Sequence, residues 1–168
     1  MRHKIVQEDI NTITKAIKRE ALPFAGKTIL ITGASGFLGS YFLAVLEELN
    51  KQFKKPCRVI ALDNYITGEK QNILGPLKDK NITFIKHDVT RPFKTAKPID
   101  YIIHAAGIAS PVYYMKYPLE TIKIATWGTE NMLNLSKQKK VKSLLFFSSS
   151  EIYGDPHPDF IPTPETYR

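Results

Sequence analysis

The residues with the plainest chemical use lie between Thr28 and Gly39, in the run Thr-Ile-Leu-Ile-Thr-Gly-Ala-Ser-Gly-Phe-Leu-Gly. The apolar and β-branched residues ending at Thr32 suit a strand buried on both faces, and Gly33, Gly36 and Gly39 then open an amphipathic run from Phe37 to Leu49. Glycine at the first two positions lets the backbone turn sharply and approach a pyrophosphate. The charge of that group meets the free N–H groups and positive dipole end of the helix, while Gly39 lets the helix pack close to its strand. The spacing is Gly-x-x-Gly-x-x-Gly, and such a triplet alone also suits an ordinary strand-to-helix turn. Asp63 adds weight. It closes a second apolar stretch, Arg58 to Leu62, where an acid accepts hydrogen bonds from an adenosine ribose and repels a 2′-phosphate, which points to NAD over NADP. A turn or helix-capping aspartate is the plainer alternative there.

These residues need elements that carry them to one place. Residues 81–86 predict a third strand before His87-Asp88-Val89, and 99–104 a fourth before Ala105-Ala106-Gly107. A fifth, 143–147, precedes Ser148-Ser149-Ser150-Glu151. A long helix is predicted over 118–139, with Ile122, Ala125, Leu133 and Leu135 on one side. Strands alternating with helices imply crossover connections and a parallel sheet, with ligands at the strands' carboxyl ends, where all these polar and glycine-rich segments fall. The expected fold is α/β, a Rossmann-like doubly wound parallel sheet of order 3-2-1-4-5 over residues 27–168. Residues 1–26 form a helical extension, with Ile10, Ile13, Ile17 and Leu22 on the apolar face of one amphipathic helix.

Composition narrows the function. The chain has 168 residues, 43% hydrophobic and 11% aromatic, enough for one ordinary core. Its net charge of +8 suits nucleic acid, a membrane surface or an anionic small substrate. The excess is spread along the chain, however, and the run from Lys137 to Lys142 falls where a helix ends, so solvated helix termini account for it without a nucleic-acid or membrane partner. The one cysteine, Cys57, reads as a small buried hydrophobe, and a cytoplasmic location is the default. No stretch has the spacing of a metal site.

The blocks Thr32 to Gly39, Asp63-Asn64, His87-Asp88-Val89, His104 to Gly107 and Ser148 to Pro156 resemble those of the extended short-chain dehydrogenase/reductase family, in particular its nucleotide-sugar enzymes. Asp63 to Gly68, Ala109-Ser110-Pro111, Tyr114-Met115, Thr121-Ile122-Lys123 and Ser148 to Pro156 are most similar to its UDP-glucuronate decarboxylase branch. The resemblance covers Lys27 to the end. It implies NAD-dependent oxidation at sugar C4, loss of the C5 carboxylate as CO2, and re-reduction to UDP-xylose, with UDP-glucuronate as substrate and a homodimeric parent. Ser149 matches the catalytic serine or threonine, able to hold the substrate oxygen and share its proton with a base. Glu151 matches a glutamate that positions the sugar or handles a proton near C5. Ser150 stands where 4,6-dehydratases have an aspartate, which disfavours dehydration.

By the same matching, Gly36, Phe37 and Leu38 lie under the pyrophosphate, with Gly33 and Gly39 in the same cofactor-binding turn, and Asp63, Asn64 and Thr67 lie around the ribose. Asp88 and Val89 fall at the adenine, and Ala105 and Gly107 along the middle of the cofactor. Lys123 and Asn131 fall on the substrate side. A solvated helix lysine is the plainer reading of Lys123, and His104 reads as a satisfied core histidine.

Two departures from the family stand out. Ala125 replaces a usual asparagine. No tyrosine is followed four positions later by lysine, the pair in which lysine lowers the tyrosine's pKa so that it serves as base. The expectation is therefore the N-terminal, cofactor-binding part of a longer enzyme, catalytically silent alone, with an apolar fifth-strand edge prone to pairing. An NDP-sugar 4-epimerase, a 4,6-dehydratase and a non-catalytic NAD-binding module remain the alternatives.

Overall fold

The computed structural model describes residues 3–167. Five strands, β1 (Thr28–Thr32), β2 (Arg58–Asp63), β3 (Ile82–Lys86), β4 (Tyr101–His104) and β5 (Ser143–Phe146), form one parallel sheet of order β3-β2-β1-β4-β5, as expected. In register, Thr32 lies beside Leu62 on one side and His104 on the other, so the strand ends line up. The central strand is buried throughout and reads as an unbroken apolar run because both faces are covered. Ile29 and Ile31 join Val59 and Ala61 in a core beneath α2 (Phe37–Asn50), whose Leu43, Leu46 and Leu49 are buried there. Leu30, Ile60, Leu62 and Ile102 face the other way, onto Met132 and Leu135. Each such side chain contributes about 1.5–3 kcal/mol by leaving water.

Helices alternate with strands less regularly than predicted. Residues 64–81 hold only short 3-10 turns at Lys70–Ile73 and Pro76–Lys78, and 87–100 cross from β3 to β4 without a helix. Between β4 and β5 run α3 (Pro111–Lys116), α4 (Pro118–Lys123) and α5 (Thr129–Lys139), the last two joined by a π turn, Ile124–Gly128. The single helix predicted over 118–139 is thus interrupted. The wider turn shifts the inward face, so Ile124, Gly128, Met132 and Leu135 are buried while Ile122 and Leu133 face solvent. Lys140 ends α5 in the left-handed conformation (φ 52°), among the lysines expected at a helix end.

The extension forms α1 (Lys4–Ile17), which packs on α2 through Ile10, partly buried Val6 and Ile17, and buried Thr14. Ile13 and Leu22 point outward, contrary to the predicted face. The helix stops before Leu22, and the stripe of residues 6, 10, 14 and 17 is the one with helical spacing that meets the neighbouring helix. Cys57 is buried, and burial pushes its thiol up to about 11, the inert hydrophobe expected. At the sheet edge, Leu145 and Phe146 of β5 are 50% and 43% exposed. Among the described residues no helix is long and apolar enough to cross a membrane, and no group of three or more His, Cys, Asp or Glu could hold a metal ion.

Candidate functional site

The strand order runs outward from β1 in opposite directions, to β2 and β3 on one side and to β4 and β5 on the other, so the crevice between the ends of β1 and β4 is the topological switch point. It is lined by Gly33, Gly36, Asp63, Asn64, Thr67, Val89, Ala105 and Gly107, eight of the predicted site residues. Ile66, Gly68, His87, Ala106 and Ile124 line it too, and these had no assigned role. Ile124 arrives through the π turn, which no residue pattern announces. Gly68 was legible only as part of a motif. The crevice holds about 60 Å³, too little to enclose a ligand of dinucleotide size. A larger groove of about 620 Å³, between residues 92–96 and α5, contains neither a glycine turn nor a strand end; size alone does not mark the site.

The glycine turn is tightly built. Gly33 has φ +67°, and a Cβ there would lie 2.5 Å from the Ala105 carbonyl oxygen. On Gly39 a Cβ would come within 2.0 Å of the Gly33 carbonyl oxygen, so the helix start sits directly on the turn. Gly36 caps α2 without a side-chain hydrogen bond. The N–H groups of Phe37 and Leu38 lie in the first helical turn, where no carbonyl precedes them, at the positive dipole end of α2; both residues, like Gly39, stand outside the crevice lining.

Asp63 holds this turn. Its carboxylate, 8% exposed, accepts from the Ser35 N–H at 2.9 Å and from the Tyr65 N–H at 2.7 Å. A carboxylate has about four lone-pair directions, so capacity remains for a ligand's hydroxyls. Tyr65 has φ 63°, a strained conformation for a bulky residue, and is held by stacking on Phe84 at 5.1 Å. Burial, then the Asp63 charge, raises its phenol's pKa. The Ser35 carbonyl accepts from Asn72 Nδ2 (2.9 Å) and from the Glu69 N–H (3.3 Å), so the segment after β2 grips the glycine turn from behind. Asn64 accepts from the Ile66 N–H and Asp88 from the Thr90 N–H and hydroxyl, which shapes the loops at the far end. Uncapped N–H groups, side-chain-free glycines and an acid with spare acceptor capacity together fit a dinucleotide.

The remaining predicted residues stand outside the lining. Asn131 donates from Nδ2 to the Val89 carbonyl at 2.9 Å, fixing the loop after β3, and borders the larger groove. Lys123 is exposed, its ammonium 5.7 Å from the centre of the Trp127 ring. Ser149 and Glu151 are exposed beyond β5, where Ser149 Oγ accepts from the Glu151 N–H at 3.3 Å and caps a 3-10 turn, Ser150–Tyr153. His104 is 1% exposed, and burial pushes its pKa down to about 4, so it is neutral, as a core histidine should be.

Residues 29–168 match the family described as the NAD dependent epimerase/dehydratase family. The chain is similar to UDP-glucuronic acid decarboxylase 5 of Arabidopsis thaliana, 42% identical over 141 residues, 83% of this chain and 38% of that protein. It is likewise similar to UDP-glucuronic acid decarboxylase 1 of Danio rerio, 41% identical over 134 residues, 79% of this chain and 30% of that one. The chain therefore spans less than two-fifths of the length of these curated relatives. Among solved structures it is similar to a UDP-galactose 4-epimerase, with a TM-score of 0.68 and 26% identity over 83% of this chain and 43% of that one. A UDP-glucose 4-epimerase from Bifidobacterium longum in complex with NAD+ and UDP has a TM-score of 0.59 and 26% identity, over 77% and 39% of the two chains.

Proposed function

The chain belongs to the NAD-dependent epimerase/dehydratase family, its cofactor is NAD, and from that premise we propose that it is the NAD-binding portion of a UDP-glucuronate decarboxylase. The observation that carries the choice of substrate is the 42% identity to a decarboxylase across most of the chain, joined by Ser150 where a dehydratase would need an acid. NAD, when bound, supplies the acceptor and later the donor of hydride at sugar C4. The first-turn N–H groups of Phe37 and Leu38 bind the pyrophosphate, and Asp63, Asn64 and Thr67 bind the adenosine ribose. Asp88 and Val89 flank the adenine, and Ala105 and Gly107 form the floor beneath the middle of the cofactor. Ser149 holds the C4 oxygen and shares its proton while the alcohol is oxidised; Glu151 orients the sugar near C5, with Lys123 and Asn131 on the substrate side. A ketone at C4 stands β to the carboxylate, so CO2 departs leaving the electrons of the broken bond in an enolate; a proton added at C5, then hydride at C4 with a proton on its oxygen, gives UDP-xylose.

The test is a protein that contains this chain, assayed with UDP-glucuronate. CO2 release with NAD is the expected result, and Ser149→Ala should lower turnover by roughly 10²-fold. If UDP-glucuronate is untouched while UDP-glucose is epimerised, the proposal is wrong and a 4-epimerase is the right reading.

A further inference from the structure

His104 is the one buried titratable ring at the carboxyl end of the sheet, and the mechanism above does not use it. Its Nδ1 lies 2.6 Å from Thr32 Oγ1, and its Nε2 lies 3.4 Å from Thr129 Oγ1. Thr32 Oγ1 also accepts from the Ala106 N–H at 3.2 Å. The three residues come from the end of β1, the end of β4 and the first turn of α5, and the amide they hold belongs to the loop that floors the cofactor crevice.

Proton counting fixes the direction of these bonds. Thr32 has one hydroxyl proton and is fully buried. If Nδ1 carried the imidazole proton, both partners would donate to Thr32 Oγ1, and the hydroxyl proton would be left in a dry site with no acceptor among its described contacts. With Nδ1 as acceptor, every polar atom of the two buried side chains is used. The Thr32 O–H donates to Nδ1, Nε2–H donates to Thr129 Oγ1, and the Ala106 N–H donates to Thr32 Oγ1.

We propose that Thr32, His104 and Thr129 form a positioning network, with His104 neutral and protonated on Nε2, that sets the height and orientation of the 105–107 floor under the dinucleotide and ties it to the π turn carrying Ile124 into the crevice. The proposal rests on the NAD reading above for its ligand, while the hydrogen-bond pattern rests on geometry alone. Gly128, which ends the π turn, has no side chain because a Cβ would meet Val89 Cγ2 at 3.0 Å and His104 Cε1 at 3.9 Å, so the turn is seated against the same ring. Phe146 covers the ring's remaining side at 5.7 Å. None of these contacting groups is charged, so nothing described here stabilises an imidazolium. Protonation would turn Nδ1 into a donor and leave the Thr32 hydroxyl proton with no acceptor among its described contacts.

The experiment has two arms on this chain. Imidazole nitrogen NMR of the unmutated chain, labelled with 15N-histidine, should place the His104 proton on Nε2; a proton on Nδ1 overturns the proposal. NAD titration should then find Thr32→Val about tenfold weaker than the unmutated chain and Thr32→Ser within about twofold of it, at matched melting temperatures. Equal weakening by both variants, or by neither, overturns the proposal. Should Thr32→Val fail to fold, the spectrum of the unmutated chain decides. An unmutated chain that shows the Nε2 proton yet binds no NAD instead overturns the functional reading on which the ligand rests.

Discussion

The two sides of β1 are built differently. Toward β2, the crevice wall is held from within: Asp63 accepts two backbone N–H groups, Asn72 closes on Ser35, and Gly39 lies against Gly33 with no space for a methyl group. Toward β5, Ser149 and Glu151 stand in solvent, where Ser149 Oγ accepts only from the neighbouring Glu151 backbone N–H among the described residues. Binding a nucleotide requires groups fixed before the ligand arrives, because each rotamer frozen on binding subtracts from affinity. In this chain the nucleotide side meets that requirement by its own contacts, whereas the serine–glutamate side is set only by a local turn. The contrast predicts that substitutions on the first side cost both fold and ligand, and substitutions on the second leave the fold alone.

The strongest way to break that contrast is Gly39→Ala. A methyl group there would overlap the Gly33 carbonyl oxygen and sit 2.8 Å from Ala34 Cα, both backbone atoms, so helix and turn must separate. A loss of about 3 kcal/mol or more in urea unfolding is expected, with NAD binding abolished. A small change would mean that the turn is far softer than its contacts imply.

Acid should act next, through His104. Its native pKa, about 4, lies below its ordinary value of 6.5, so the unfolded chain binds the extra proton first. Stability from this group is complete above pH 6.5 and lost as pH falls toward 4, on the order of 3 kcal/mol at 1.36 kcal/mol per unit. His104→Gln should flatten that part of the unfolding free energy against pH. The same slope in both chains would move the effect to other groups.

Much of this arrangement was legible in advance. The strand order followed from apolar runs that end in polar segments, since a strand buried on both faces leaves its only polar residues at its ends. Asp63 stood out in the sequence as an acid at the end of a strand, but its grip on Ser35 did not: a hydrogen bond to a backbone amide leaves no mark on the residue that donates it. The π turn was invisible because Ile-Ala-Thr-Trp-Gly suits an ordinary helix, and Gly128 packs against Val89 and His104, which come from other elements. Thr14 is buried in the face where α1 meets α2, so hydrophobicity alone put the stripe on Ile13 and Leu22.

Asp63→Asn sharpens the comparison by keeping the shape and removing the charge. The Ser35 and Tyr65 N–H groups go to different carboxylate oxygens, so the amide keeps one of them in a neutral bond and turns its NH2 on the other, an expected loss of about 1.5–3 kcal/mol. A preference for NAD over NADP of about tenfold, or 1.4 kcal/mol, is expected of the unmutated chain and should fall toward parity in the variant, because nothing then repels a 2′-phosphate. Preference retained in calorimetric titration would leave Asp63 a purely structural brace.

Ser149→Ala carries the smallest expected effect on the fold and tests the other side most directly. A cap usually contributes about 1 kcal/mol, but this one is exposed, its bond is 3.3 Å long, and it closes a turn of only four residues, so water replaces it cheaply. Unfolding should shift by no more than about 0.5 kcal/mol, and NAD affinity of this chain by less than twofold. That near-silence is what gives the turnover measurement its meaning: a hydroxyl that contributes almost nothing to stability, yet about 10²-fold to decarboxylation in a protein containing this chain, is acting on the substrate. A loss of 1 kcal/mol or more on unfolding would place Ser149 among the structural braces and erase the distinction between the two sides of β1.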